Sequence, residues 1–178
     1  ILDEIQCGLG RTGRLFAYEH ADVAPDLMTL AKPLAGGLPM GAVLMTEDVA
    51  SAMQAGDHGS TFGGGPFVAA VAEHVLDRVS DPAMLQHVAE TGRWFGEQLQ
   101  KLAMRTGRVR AVRGIGFMWG ADTHEGAGAI VGRARDAGLL LVTAGDYTLR
   151  FLPPLVATRD ELGAGLEILD EALRAGPG

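Results

Sequence analysis

The chain has one cysteine, Cys7, in 178 residues. A lone thiol cannot close an intramolecular disulfide or build a thiolate metal cluster, which predicts a reducing, cytoplasmic compartment. Apolar runs are short. None nears the roughly 20 residues a membrane helix needs, and Ile1-Leu2-Asp3-Glu4 carries acids where a signal peptide is apolar. Neither a membrane span nor a targeting segment is expected. Basic residues are in deficit, 15 Lys and Arg against 22 Asp and Glu, for a net charge of -7. That balance lacks the electrostatic footprint of a nucleic-acid or anionic-membrane binder. The five histidines, His20, His58, His74, His87 and His124, have no ligand spacing, so no metal site is expected. A G-x-S-x-G nucleophile elbow is missing too. The chain opens on what reads as the middle of a buried strand rather than on methionine, and it is expected to be the later part of something larger.

With 47% apolar and 21% charged residues, the composition supports a globular core. Ile1 to Gln6 reads as a buried parallel strand ending in acids, the end at which α/β proteins keep their ligands. Asp26 to Ala31 reads as a second strand, stopped by Lys32-Pro33. A glycine-rich stretch, Leu34 to Gly41, leads into a third strand at Ala42 to Met45, and Thr46 is placed to cap a short helix. A second glycine-rich loop, Gly59 to Pro66, feeds a helix over Phe67 to Val79, a natural anion site.

At Ser80-Asp81-Pro82, a helix-start signature, the pattern changes, and the predicted division is residues 1–80 against 81–178. Leu85, Val88, Phe95, Leu99 and Leu102 share one face of a long helix ending near Gly107. Strands follow at Val109 to Arg113, Gly116 to Ala121, Leu139 to Thr143 and Leu149 to Leu152. A helix over Ala127 to Ala137 closes at Gly138, and Thr158 with Glu161 forms a capping box for a last helix to about Arg174. The whole reads as α/β followed by a smaller α+β unit.

Only two lysines are present. Lys101 lies on the polar side of the long helix. Lys32, after an apolar strand and before a Pro and two glycines, can be held facing a cleft as a catalytic amine, or stand exposed at the strand end. Asp3 is costly to bury without a cationic partner, which a ligand or Arg11 or Arg14 could supply, unless it stands at a solvated strand end. Arg150, opposite in alternation to Leu149 and Phe151, suits a substrate carboxylate or an ion pair within its unit. Gly8-Leu9-Gly10-Arg11-Thr12-Gly13 fits a dinucleotide-binding expression, but Arg14 to Pro25 lacks the helical period that fingerprint needs, so it is read as a turn.

Four blocks occur in order: Leu2-Asp3-Glu4-Ile5-Gln6 with Gly10-Arg11-Thr12-Gly13; Pro25 to Lys32 with Gly36-Gly37-Leu38-Pro39-Met40-Gly41; His58-Gly59-Ser60-Thr61-Phe62-Gly63-Gly64; and Leu149 to Leu155. The set resembles the class III aminotransferases over nearly the whole chain, most closely the members acting on N-acetylornithine. The resemblance implies the C-terminal part of the large domain of a fold-type I pyridoxal-phosphate-dependent transferase, followed by its small α+β domain. The N-terminal portion, which cradles the cofactor phosphate, is expected to be missing.

It further implies pyridoxal 5'-phosphate as cofactor and Lys32 as the lysine that carries it and moves the proton. Asp3 would keep the ring nitrogen protonated. Ile5 would pack on a ring face, and Gln6 would lie near the phenolic oxygen, with Glu4 beside them among the cofactor-binding positions. Thr61 would reach the phosphate of a neighbouring subunit's cofactor, which requires a homodimer. Ser60 and Arg150 would contact substrate, Arg150 through the carboxylate common to the amino-acid donor and the 2-oxo-acid acceptor. The implied reaction is transamination of N-acetylornithine with 2-oxoglutarate in arginine biosynthesis. Ornithine, succinylornithine or 4-aminobutyrate as donor, a non-catalytic remnant, and a dinucleotide-dependent oxidoreductase are the alternatives.

Overall fold

The computed structural model describes residues 1–61 and 63–176. Two compact units divide the chain, Ile1–Gln86 and His87–Gly178. Among the described residues no helix is long and apolar enough to cross a membrane.

The first unit holds a three-stranded sheet in the order β1 (Leu2–Asp3), β2 (Leu27–Leu30), β3 (Ala42–Met45). β1 pairs parallel to β2, Leu2 opposite Met28 and Asp3 opposite Thr29, and β3 returns antiparallel with Ala42 opposite Leu30. Alternation in β2 sends Met28 and Leu30 into a core with Leu9, Leu34, Ala35 and Ala72. Leu27 and Thr29 are left half-buried on the other face.

The Gly8 to Gly13 segment is a turn, as expected. Gly10 and Gly13 have φ of 83° and 84°, and the next element is a 3-10 turn at Ala17–His20, not a helix opening on Gly13. α1 (Glu47–Ala50) is a single turn whose N-cap Thr46 makes no side-chain cap bond. α2 (Pro66–Val79) starts with Pro66 just inside, the position where a missing N–H costs nothing.

The second unit is an antiparallel sheet ordered β4 (Val109–Ile115), β5 (Met118–Thr123), β7 (Thr148–Phe151), β6 (Val142–Thr143), with two further helices and the part of a long helix from His87 onward. α3 (Pro82–Thr106) begins where Asp81 Oδ1 accepts the Ala83 N–H at 2.8 Å, and its buried residues include Val88, Phe95, Leu99 and Leu102. It packs so closely that a Cβ on Gly96 would lie 2.1 Å from the Trp119 ring, and one on Gly92 would lie 2.2 Å from the Gly116 carbonyl oxygen. α4 (Ala127–Asp136) ends at Gly138, φ 95°. α5 (Arg159–Arg174) carries the predicted capping box of Thr158 and Glu161.

The strand placed at Ile1 to Gln6 shrinks to Leu2–Asp3, with Leu2 half-buried and Asp3 exposed rather than buried, because Ile5 and Gln6 already turn away. In the second unit two strand starts move by two residues or more from the sequence expectation. The strand placed at Gly116 to Ala121 starts instead at Met118, because Gly116, φ 54°, and Phe117 form the turn that sets Ile115 opposite Met118. The strand placed at Leu139 to Thr143 shrinks to Val142–Thr143. The Leu139 N–H is taken by the Ala134 carbonyl as the helix closes, and Leu140 is 83% exposed.

Candidate active site

β1 and β2 run in the same direction, so their carboxyl ends share one edge of the sheet. Asp3 closes β1 opposite Thr29, and Lys32 follows two residues after the end of β2. Asp3 is exposed. Its Oδ1 accepts the Ile5 N–H at 2.9 Å and the Thr29 hydroxyl at 3.2 Å, and among the described residues nothing donates to Oδ2. The carboxylate that is buried is its neighbour. Glu4 is 3% exposed and accepts the Tyr18 N–H at 2.8 Å on Oε1 and the Ala17 N–H at 2.9 Å on Oε2. The burial cost that the sequence pattern attaches to Asp3 thus falls on Glu4, and backbone donors rather than a cation meet it.

Lys32 sits in a turn closed by the Leu34 N–H on the Ala31 carbonyl at 2.7 Å and anchored by buried Leu34 and Ala35. Lys32 is exposed and makes no hydrogen bond or ion pair among the described residues. The glycine-rich stretch after it turns on Gly36 and Gly37, φ 63° and 101°. The Gly41 N–H then donates to the Gly63 carbonyl at 3.2 Å. Because Ala42 is paired with Leu30, this bond ties the Ser60-Thr61 loop to the edge that carries Asp3 and Lys32. Ser60 and Thr61 are exposed there, while Phe62 of the same motif lies outside the described residues.

Ile5 and Gln6 form the half-buried turn that leaves Asp3. In that turn Cys7 donates to the Asp3 carbonyl at 3.4 Å and to Glu4 Oε2 at 3.5 Å. Burial, reinforced by the Glu4 carboxylate, pushes its thiol up to about 11. Gly8 leaves no room for a side chain, since a Cβ would come 2.8 Å from the Glu4 carbonyl oxygen. Sequence reasoning missed Glu4 as an anchor and Thr29 altogether. A hydroxyl inside the apolar run Leu27 to Leu30 was the available signal for Thr29.

Arg150 belongs to the second unit. In β7 it lies opposite Gly120 and Val142, half-buried, and it lines a cavity of about 660 Å³ with Phe95, Leu140, Pro153 and Glu161.

The family model described as Aminotransferase class-III matches residues 1–173. The chain belongs to the class III aminotransferases. Members of this family depend on pyridoxal phosphate. The class III chain is 49% identical over 176 residues to the mitochondrial acetylornithine aminotransferase of Alnus glutinosa, covering 98% of itself and 39% of that protein. It superposes on the crystal structure of N-acetylornithine aminotransferase from Stenotrophomonas maltophilia with a TM-score of 0.86 at 38% identity, covering 98% of itself and 46% of that chain. Against the ornithine aminotransferase of Plasmodium yoelii the TM-score is 0.90 at 32% identity, covering 97% and 47%. The chain thus spans less than half the length of these relatives.

Proposed function

We propose that this chain supplies the Asp3 and Lys32 edge of a pyridoxal-phosphate-dependent aminotransferase that moves an amino group from N-acetylornithine to 2-oxoglutarate. The observation that carries the proposal is the parallel register that sets a carboxylate and a primary amine at the ends of adjacent strands, with the Ser60-Thr61 loop hydrogen-bonded to the same edge. The donor set fits the cofactor in chemistry. An acceptor oxygen with no donor among the described residues suits a protonated ring nitrogen, an exposed amine suits an aldehyde, and exposed hydroxyls suit a phosphate.

When bound, the cofactor supplies an electron sink for the carbon that loses its proton. Asp3 would hold the ring-nitrogen proton with Oδ2. Lys32 would tether the cofactor between turnovers and, once the donor amine displaces it, take the proton from the amino-bearing carbon on Nζ. Arg150 would hold the carboxylate common to donor and acceptor through its planar fork. Exposure of Ser60 and Thr61 suits contacts with substrate and with the cofactor phosphate of a second copy, which makes the functional unit a homodimer. A place in arginine biosynthesis and in a soluble, cytoplasmic-type compartment follows from the same reading.

Among the solved structures identity favours the acetylated donor, 38% to the acetylornithine enzyme of Stenotrophomonas maltophilia against 32% to the ornithine enzyme of Plasmodium yoelii, whereas the backbone likeness to the latter keeps ornithine as the second reading. Borohydride reduction of the protein with pyridoxal phosphate, followed by peptide mapping, tests the site. The cofactor is expected on the Lys32 peptide and absent from Lys32→Ala; a label elsewhere, or none, rejects the assignment. Comparison of kcat/KM for N-acetylornithine and ornithine tests the donor, and a preference for ornithine overturns it.

A further inference from the structure

Two donors converge on one oxygen of Asp3. The Ile5 N–H comes from the turn that Asp3 itself begins, and the Thr29 hydroxyl comes from the neighbouring strand, directly opposite in register. The terminal torsion of an aspartate is otherwise broad and two-fold, so without such contacts its two oxygens are interchangeable. With both donors on Oδ1, Oδ2 is the oxygen left without a donor among the described residues. Thr29 is the adjustable half of this arrangement, because the Ile5 donor is backbone and survives any side-chain change. Its β-branched side chain is stiff about χ1, and β2 keeps it off the core face where Met28 and Leu30 are buried.

We infer that Thr29 is a positioning residue of the cofactor site: by holding Asp3 Oδ1 it reserves Oδ2 for the protonated ring nitrogen of pyridoxal phosphate. The inference rests on the role proposed above for Asp3. Thr29 would touch neither cofactor nor substrate; it acts through Asp3. Nothing in the apolar pattern of β2 requires a hydroxyl at this position, since valine has the same shape and a higher affinity for a sheet.

The test is titration of the protein with pyridoxal phosphate, followed by the pH midpoint of the bound cofactor's visible band, for wild type, Thr29→Val, Thr29→Ser and Asp3→Asn. A thermal melt of each protein without cofactor monitors folding. Losing one charge-assisted hydrogen bond is expected to weaken cofactor binding of Thr29→Val about tenfold or more. Its pH midpoint should move in the same direction as that of Asp3→Asn. Thr29→Ser, which restores the hydroxyl, should return both values toward wild type, and it serves as the test by comparison with Thr29→Ala if the valine protein does not fold. A Thr29→Val protein with wild-type affinity and midpoint, beside an Asp3→Asn protein that has lost both, overturns the inference and leaves the role of Asp3 standing. If Asp3→Asn also behaves as wild type, the role of Asp3 and the inference built on it fall together.

Discussion

Replacing Glu4 by alanine strips the acceptors from the N–H groups of Ala17 and Tyr18 in a part-buried setting. The expected loss is about 1–3 kcal/mol for each group left without an acceptor, read as a lower denaturant midpoint in an unfolding titration. Cys7 is held protonated by burial and by that same carboxylate, with its thiol pushed up to about 11. Its alkylation by iodoacetamide should therefore be slow at neutral pH and accelerate as pH climbs toward that value, rather than near the ordinary thiol range of about 8.5. A fast reaction at neutral pH contradicts this. Asp3 and Lys32 were legible as candidates because each follows an apolar run and precedes residues that end a strand. Which of Asp3 and Glu4 turns inward was not legible. A two-residue strand offers too little alternation to fix a face, and the deciding donors lie 13 and 14 residues away.

The helices of the second unit show when a side chain at a glycine helps and when it harms. A Cβ added at Gly163, inside α5, would meet nothing within 4 Å, so Gly163→Ala should stabilise by about 0.5–1 kcal/mol through backbone entropy and helix propensity. Gly96→Ala on α3 makes the same helical gain, but its methyl meets the Trp119 ring, and a net loss of about 1–3 kcal/mol is expected. Thermal melts of the two variants should move in opposite directions. At the start of α5, Thr158→Ala removes the acceptor for the Glu161 N–H and should cost about 0.5–2 kcal/mol. The Glu161 carboxyl is lowered by hydrogen bonds from the Thr158 backbone N–H and hydroxyl. Its contribution is thus present above the unfolded carboxyl range near about 4.3 and is lost as pH falls through the lower folded value. The stability gap between wild type and Thr158→Ala should accordingly narrow on acidification. This capping box was readable in the sequence because both partners lie within one turn, as were the long face of α3 and its Gly107 terminator. The Gly116-Phe117 turn was not, since its glycine looked equally at home inside a strand.

Across the chain, acids outnumber bases enough to give a sequence pI near 5.1. Apolar side chains such as Phe67, Leu140 and Val156 stand more than half exposed. With charge repulsion gone and this surface uncovered, turbidity should peak near pH 5 and fall toward neutrality; a flat profile would mean that charge is not what keeps the molecules apart. The four motif blocks made the family legible, because their order and content are carried by the sequence itself. The contact between Asp3 and Thr29 was hidden, because it depends on a strand pairing that no local pattern specifies. That pairing also has a kinetic side. β2 and β3 are joined through a connection whose nearest partners, Leu30 and Ala42, are 12 residues apart, whereas Asp3 and Thr29 are separated by 26. Closing the longer loop costs more chain entropy, and the cost falls due before the contact rewards it. In refolding experiments the antiparallel pair should gain amide protection first. The edge bearing Asp3 would then be assembled on a template already in place, so the candidate active site is among the last parts of its unit to acquire native geometry.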